Sequence, residues 1–503
     1  MPDLVKVELQ PLGKTIQVER GTPLQDILFA FGVEFPCGGR GRCKACRIKV
    51  IQGSLPACAD QTAILGPMQL AEGWRLACRC RANDHLTLEI NQWETPVLSD
   101  DSTFHFRPGS GQGIAVDLGT TTLAAQLVDL RTGRVLAVQT GLNPQAAYGS
   151  DVMSRVNFAL SESGRARMSA MIREGIGALL MNLLSSAAPS ADLVRDITVV
   201  GNTVMHHLFC GIDVTPLAYY PFEPENDGPQ SCRSADLGWN ITGQPQVRFL
   251  PCLGGFVGSD ILAGVLATRI HQSRELMGLV DLGTNGEVVF GNAERIVCAS
   301  TAAGPAFEGA RIGMGMRAAT GAIAEVRNSV DGILCRVLGG GPPRGICGSG
   351  LVDAVAVGLE CGTIEPNGRL LDGMQEWMLS SPVRLCQNDI RELQLAKGAI
   401  AAAIRLLLRR LGAASTDVSR LFLAGAFGNY VDRSSARRIG LIEFPEDKVH
   451  PAGNTALLGA KLALFGGETE DAQQASLRSR IEHVSLSADP DFQEMFIDCM
   501  SFP

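Results

Sequence analysis

The chain has 503 residues, 46% of them hydrophobic and 19% charged, enough for a large core and, on length, about three domains. Its formal charge of -8 leaves no basic excess for a phosphate backbone, which excludes nucleic acid as a general partner. No apolar segment of leader length opens the chain and no uncharged apolar run of about 18 residues follows, so it reads as a cytoplasmic protein with no membrane partner.

In a reducing compartment, a tight group among the 15 cysteines signals metal or catalysis ahead of disulfides. Scattered ones such as Cys210, Cys252, Cys298 and Cys386 read as small core residues. In chain order, DLVKVELQPLGKTIQVE reads as two short strands about a Pro-Leu-Gly turn, PLQDILFAFG as a short helix, and CRIKVIQG and HLTLEI as further strands. Ahead of the third strand, FPCGGRGRCKAC sets Cys37, Cys43 and Cys46 at C-x5-C-x2-C. Zinc ribbons pair two C-x2-C knuckles, and no second knuckle follows. The plant-type [2Fe-2S] pattern, C-x4-C-x2-C with a distant fourth cysteine, differs by one inserted residue. Gly38, Gly39 and Gly41 supply the backbone freedom and close approach that such a loop needs.

Strands, helix, cysteine loop and strands resemble the [2Fe-2S] ferredoxins over residues 1–92. That resemblance implies Cys78, in RLACRC, as the fourth ligand, because the family's motif ends on a cysteine after a small residue just before the last strand. Cys80 and Cys58 are the competitors. Arg40, Arg42, Lys44, Arg47 and Lys49 stand between Cys37 and Val50 with no acid among them. They read either as a rim for docking on an acidic surface or as a solvated loop.

Residues 93–112, within NQWETPVLSDDSTFHFRPGSGQG, are poor in aliphatics and read as a flexible linker. About 22 such residues span roughly 25 Å on average and roughly 75 Å fully extended, so the ferredoxin unit could swing. Then GIAVDLGTTTLAAQLVDLRTGRVL presents an apolar strand ending in Asp117, a turn of Gly119, Thr120, Thr121 and Thr122, and two more strands. GLVDLGTNGEVVF repeats the unit with Asp281, Gly283, Thr284 and Asn285. In each, turn amides and hydroxyls can cradle phosphate while the aspartate orients Mg²⁺ through its water shell. The copies are too far apart for a solenoid and suit two homologous lobes facing one cleft, 113–272 and 273–503 with a C-terminal extension.

DITVVGNTVMHHLF reads as a strand running into a helix, with Asn202 and Thr203 placed to cap it; its position between the two aspartate turns resembles the first connecting motif of the sugar kinase, heat-shock ATPase and actin superfamily, which implies instead that they place an attacking water or substrate hydroxyl. His206 and His207 are adjacent, so they are not expected to share a helix face, and they read as packing residues. GICGSGLVDAVA opens a helix at Gly348 and Ser349, a turn suited to an anion or a ribose. KGAIAAAIRLLLRRLG is a long helix, and LFLAGAFGN a strand opening into a loop where Gly425, Ala426 and Gly428 let a nucleoside lie against the backbone. GNTALLGAK has the wrong spacing for a Walker sequence.

The two aspartate turns and LFLAGAFGN together resemble the superfamily of sugar and acetate kinases, heat-shock ATPases and actin. The expected fold is therefore α+β and α/β multidomain: an N-terminal β-grasp [2Fe-2S] ferredoxin domain joined to a two-lobed, ribonuclease H-like ATPase. With NPQAAYGSDVMSRV, PFEP, GGFVGSDILAG, STAAGPAFEGA and DIRELQLAKGAI, the whole chain resembles the reductive activators of corrinoid proteins. Longer members carry a domain-sized segment where this chain has a short linker.

The resemblance implies ATP-dependent one-electron reduction of Co(II) to Co(I) on a corrinoid partner protein, restoring a methyltransferase system. It implies a [2Fe-2S] cluster on Cys37, Cys43, Cys46 and Cys78, ATP and Mg²⁺ at Asp117 and Asp281, and an external low-potential electron donor. A cobalt couple about 100 to 200 mV below a cluster near -400 mV would cost roughly 2 to 5 kcal/mol per electron, which nucleotide turnover can offset. An ATP-dependent donor to a non-corrinoid enzyme and a non-enzymatic redox sensor remain as alternatives, and the sequence leaves a homodimer open.

Overall fold

A computed structural model describes residues 3–10, 14–28, 31, 33, 46–90, 108–148, 151–187, 193–283, 285–309, 311–316, 318, 321–330, 332–338, 341–371, 373–428, 431–466 and 470–503. Cys37, Cys43, Thr284 and most of the linker lie outside these residues, as does the side chain of Ala426.

The N-terminal sheet runs in the order Lys14–Glu19, Leu4–Gln10, Leu86–Glu89, Arg47–Gln52, Trp74–Leu76. Alternation in Leu4–Gln10 buries Val5, Val7 and Leu9 on one face. The helix Leu24–Leu28 buries Leu24, Ile27 and Leu28. The sequence reading did not expect the helix Ala59–Ala71, which is interrupted at Gly66 before Pro67.

The first lobe's six-stranded sheet runs Val135–Leu142, Thr122–Asp129, Gln112–Leu118, Val194–Gly201, Gln246–Phe249, Gln230–Arg233. The second lobe's runs Ile481–His483, Ile296–Thr301, Gly286–Gly291, Met277–Leu282, Arg420–Ala424, Val449–Gly453. Each contains an antiparallel three-strand meander whose first strand then pairs parallel with a later one. The duplication glimpsed in two short motifs thus extends to whole sheets.

The lobes exchange helices. Ser259–Thr268 follows the first lobe's strands, yet its Ile261, Leu262 and Val265 share a core with Leu279, Val289 and Phe422 of the second. Thr455–Ala463 follows the second lobe's strands, yet Ala456, Leu457 and Ala460 pack with Ala115, Ala124 and Val200 of the first. The helices meet where a Cβ on Gly459 would lie 2.1 Å from the Ala263 carbonyl oxygen. In a free helix Gly→Ala would stabilise by about 1 kcal/mol. Here overpacking costs about 1–3 kcal/mol and wins, so Gly459→Ala should lower the urea midpoint.

Candidate functional site

The exchange brings both aspartate turns together, close enough for the charge of Asp117 to act on Asp281. Asp117 ends Gln112–Leu118 and Asp281 ends Met277–Leu282, the corresponding strands of the two sheets. Both keep an accessible edge. Two further carboxylates join them that the sequence reading did not single out. Asp260 stands in the first turn of Ser259–Thr268, partly accessible, and Glu287 is buried on Gly286–Gly291. Both lay inside quoted stretches, GGFVGSDILAG and GLVDLGTNGEVVF, but only the helix exchange shows where they point.

The electrostatics follow from four acids in one enclosed place. Burial pushes the Asp117 carboxyl up to about 6, opposed by a hydrogen bond from Asn454. Burial, then the charge of Asp117, pushes Asp281 up to about 7. Burial, then the charges of Asp281 and Asp117, takes Asp260 up to about 8. Glu287 is driven well above the carboxylate range by burial and then by Asp260 and Asp281. A cation would relieve this repulsion; among the described residues no three such side chains come together to hold a metal ion directly, so a hard divalent ion here would keep its water shell.

Folded carboxyls with raised pKa values contribute stability below the unfolded value near 4, and lose it as pH rises through about 6 for Asp117 and about 7 for Asp281. Nucleotide-free protein should therefore melt at lower temperature at pH 8 than at pH 5. Asp117→Asn and Asp281→Asn should each flatten that slope in a melting series.

Three asparagines hold the first turn. Asn143 donates from Nδ2 to the Gly119 carbonyl oxygen at 2.9 Å, and its amide donates to the Thr121 carbonyl oxygen at 2.9 Å. Asn202 Nδ2 donates to Thr120 Oγ1 at 2.9 Å, and its Oδ1 accepts the Met205 amide at 3.0 Å, so it caps the helix Thr203–Cys210 and touches the turn as well. Asn454 Nδ2 donates to Asp117 Oδ2 at 2.7 Å. Asn454 belongs to GNTALLGAK, whose spacing is not that of a phosphate loop and gives no local sign of this contact. Thr121 Oγ1 also donates to Glu308 Oε2 at 3.4 Å, and Thr122 is exposed.

Other sequence-picked residues are committed to the framework. Thr203 Oγ1 donates to the Gly254 carbonyl oxygen at 2.7 Å and is fully buried, so its hydroxyl is taken. Ser349 Oγ donates to the Ala324 carbonyl oxygen at 2.9 Å. A Cβ on Gly348 would lie 1.9 Å from the Phe307 carbonyl oxygen, so this glycine answers a packing need. His206 and His207 are buried, as expected of packing residues, but do meet, Nδ1 to Nδ1 at 3.3 Å. Burial, then the neighbouring histidine, takes His206 down to about 3, so it stays neutral.

In the second lobe, Gly283 donates its amide to the Asn285 carbonyl oxygen at 3.1 Å. Gly425–Gly428 forms a helical turn where a loop was expected. Gly425, at φ 81°, comes close enough that a Cβ would lie 2.5 Å from Asp281 Oδ1. Gly428 is buried against Leu423.

At the cysteine loop, the Ala77 amide donates to the Cys46 carbonyl oxygen at 2.8 Å, and the Cys46 and Cys78 Sγ atoms lie 3.3 Å apart. Thiolates on one tetrahedral metal with bonds of about 2.3 Å stand about 3.8 Å apart, so this pair fits a metal centre with little movement. Cys80 is buried, receives Gln61 Nε2 at 3.7 Å, and has its thiol pushed up to about 11 by burial. Cys58 is exposed at the helix cap. Among the described residues no helix is long and apolar enough to cross a membrane.

Three family descriptions match the chain: "2Fe-2S iron-sulfur cluster binding domain" at 7–83, "RACo middle region" at 112–273 and "C-terminal domain of RACo the ASKHA domain" at 275–503. Corrinoid activation enzyme RamQ of Eubacterium limosum is 33% identical over 436 residues, 80% of this chain and 73% of that protein. The [Co(II) methylated amine-specific corrinoid protein] reductase of Methanosarcina barkeri is 28% identical over 429 residues, 78% of this chain and 77% of that protein. A solved "Reductive activator for corrinoid,iron-sulfur protein" superposes with TM-score 0.69 at 26% identity, covering 99% of this chain and 98% of that one. The chain belongs to the family of reductive activators of corrinoid proteins.

Proposed function

We propose that this chain uses ATP to drive the reduction of Co(II) to Co(I) in a corrinoid bound on a partner protein, returning a methyltransferase system to its active state. The observation that carries it is the pairing of Asp117 and Asp281 across one cleft by exchanged helices, in a chain that also has a [2Fe-2S] domain. We assign 1–92 to the ferredoxin domain, 93–112 to the linker, 113–272 to the first ATPase lobe, and 273–503 to the second with its C-terminal extension. The separate sheets support that division.

Asp117 and Asp281 would organise Mg²⁺ through its water shell, and bound Mg²⁺ neutralises charge on the phosphates. The turns Gly119–Thr122 and Gly283–Asn285 offer amides and hydroxyls to the phosphates, while Gly425, Ala426 and Gly428 leave room for ribose and base. Asn202 fixes Thr120, as the hydrogen bond between them supports. Asp260, kept protonated at neutral pH by burial and by the charges of Asp281 and Asp117, would take a proton from an attacking water only where a bound cation offsets those charges.

Cys46 and Cys78, with Cys37 and Cys43, would hold a [2Fe-2S] cluster, which carries one electron at a time at low potential. An external low-potential donor supplies it, and the compartment is the reducing cytoplasm. Electron paramagnetic resonance of the reduced, reconstituted protein tests the electron-carrying half. A [2Fe-2S] signal that is lost on adding a Co(II) corrinoid protein with Mg·ATP supports the reading. A [4Fe-4S] signal, or a [2Fe-2S] signal that no corrinoid protein discharges, contradicts it.

A further inference from the structure

The exchanged helices begin with chemically different residues, and the difference falls on the two aspartates of the phosphate turns. Ser259–Thr268 brings an acid, Asp260, into the field of Asp281. Thr455–Ala463 brings a carboxamide to Asp117. Asn454 is held at both ends: its Oδ1 accepts the Leu457 amide at 2.7 Å as a helix cap, and its Nδ2 donates to Asp117 Oδ2 at 2.7 Å. It follows directly on the strand Val449–Gly453 of the second sheet, whereas Asp117 belongs to the first. Asn202 makes a useful contrast, because its two bonds, to Met205 and Thr120, both stay within the first lobe.

We propose that Asn454 is a positioning residue for nucleotide turnover, a carboxamide delivered by the exchanged helix that orients the Asp117 carboxylate. The inference rests on the ATP-turnover reading above. A carboxylate free to rotate would present a lone pair to the cation's water shell only part of the time. The Nδ2 donor occupies one side of Oδ2 and leaves Oδ1 for the ligand.

The test separates the donor from the cap. Asn454→Ser and Asn454→Thr keep an N-cap acceptor, but neither carries the carboxamide that donates to Asp117. In the full chain, both should melt close to the parent and keep the rise in Tm that Mg·ATP gives. Their kcat for ATP should fall about 10- to 100-fold, the loss expected for a hydrogen bond to a charged group, with KM changed less than about threefold. Asn454→Ala, which also loses the cap, should fall in Tm as well. Unchanged kcat in the Ser and Thr variants would reduce Asn454 to a helix cap and overturn the inference alone. A parent protein with no ATP turnover would overturn both it and the reading on which it rests.

Discussion

Asp117→Asn is expected to lower ATP turnover by about 10²- to 10³-fold, the loss seen when one preorganised electrostatic group is removed from a reacting phosphate or oxyanion, without unfolding the protein. The substitution keeps an oxygen that can accept from Asn454 Nδ2, so the local hydrogen bonding survives. It also removes an acid whose ionisation burial opposes, so nucleotide-free stability above pH 6 should rise. Asp281→Asn should act alike, because burial and the charge of Asp117 weigh on that carboxyl in the same way. If the two carboxylates serve one cation, the double variant should be little worse than either single one. Steady-state turnover with Mg·ATP measures this. Turnover within about threefold of the parent in both single variants would remove the cleft from consideration as the nucleotide site.

Cys78→Ala should abolish assembly of the cluster, and Cys80→Ala should leave it intact. The two thiols are two residues apart in RLACRC but face different surroundings. Cys78 Sγ lies 3.3 Å from Cys46 Sγ, while Cys80 is 6% exposed and receives the Gln61 amide. Burial raises the Cys80 thiol to about 11, and a thiol that resists ionising is a poor iron ligand. Iron content and the electron paramagnetic resonance signal after reconstitution read the outcome. Retained iron in Cys78→Ala with lost iron in Cys80→Ala would reverse the assignment. Cys80→Ala should still cost some thermal stability, since it opens a small void in the core.

Local patterns carried much of this. The strands about Pro11-Leu12-Gly13, the strand after Cys46 and the two aspartate turns were all legible, because each depends on alternation, turn chemistry or spacing within a few residues. What escaped was set by tertiary exchange. Asp260, Glu287 and Asn454 act where helices and strands from opposite halves of the chain converge, and no local period reports that. The superfamily resemblance points to Thr203 as part of a connecting motif, and the glycine-rich turn that opens a helix points to Ser349. Their hydroxyls instead satisfy the Gly254 and Ala324 carbonyl oxygens in the interior. GNTALLGAK lacks phosphate-loop spacing, and nothing local in it marks Asn454 as a partner of Asp117. Its counterpart GNT at Asn202 stands out because it lies between the two aspartate turns, where the superfamily resemblance implies a connecting motif.

The central claim is that ATP and electron transfer act together on cobalt. The most direct measurement follows the absorption of a Co(II) corrinoid protein mixed with the reconstituted chain and a low-potential reductant, with and without Mg·ATP. The account predicts conversion to Co(I) that requires both the nucleotide and an intact Cys78, and that Asp117→Asn slows in proportion to its loss of ATP turnover. Cobalt left as Co(II) with every candidate partner, or reduced equally fast without nucleotide, would contradict it.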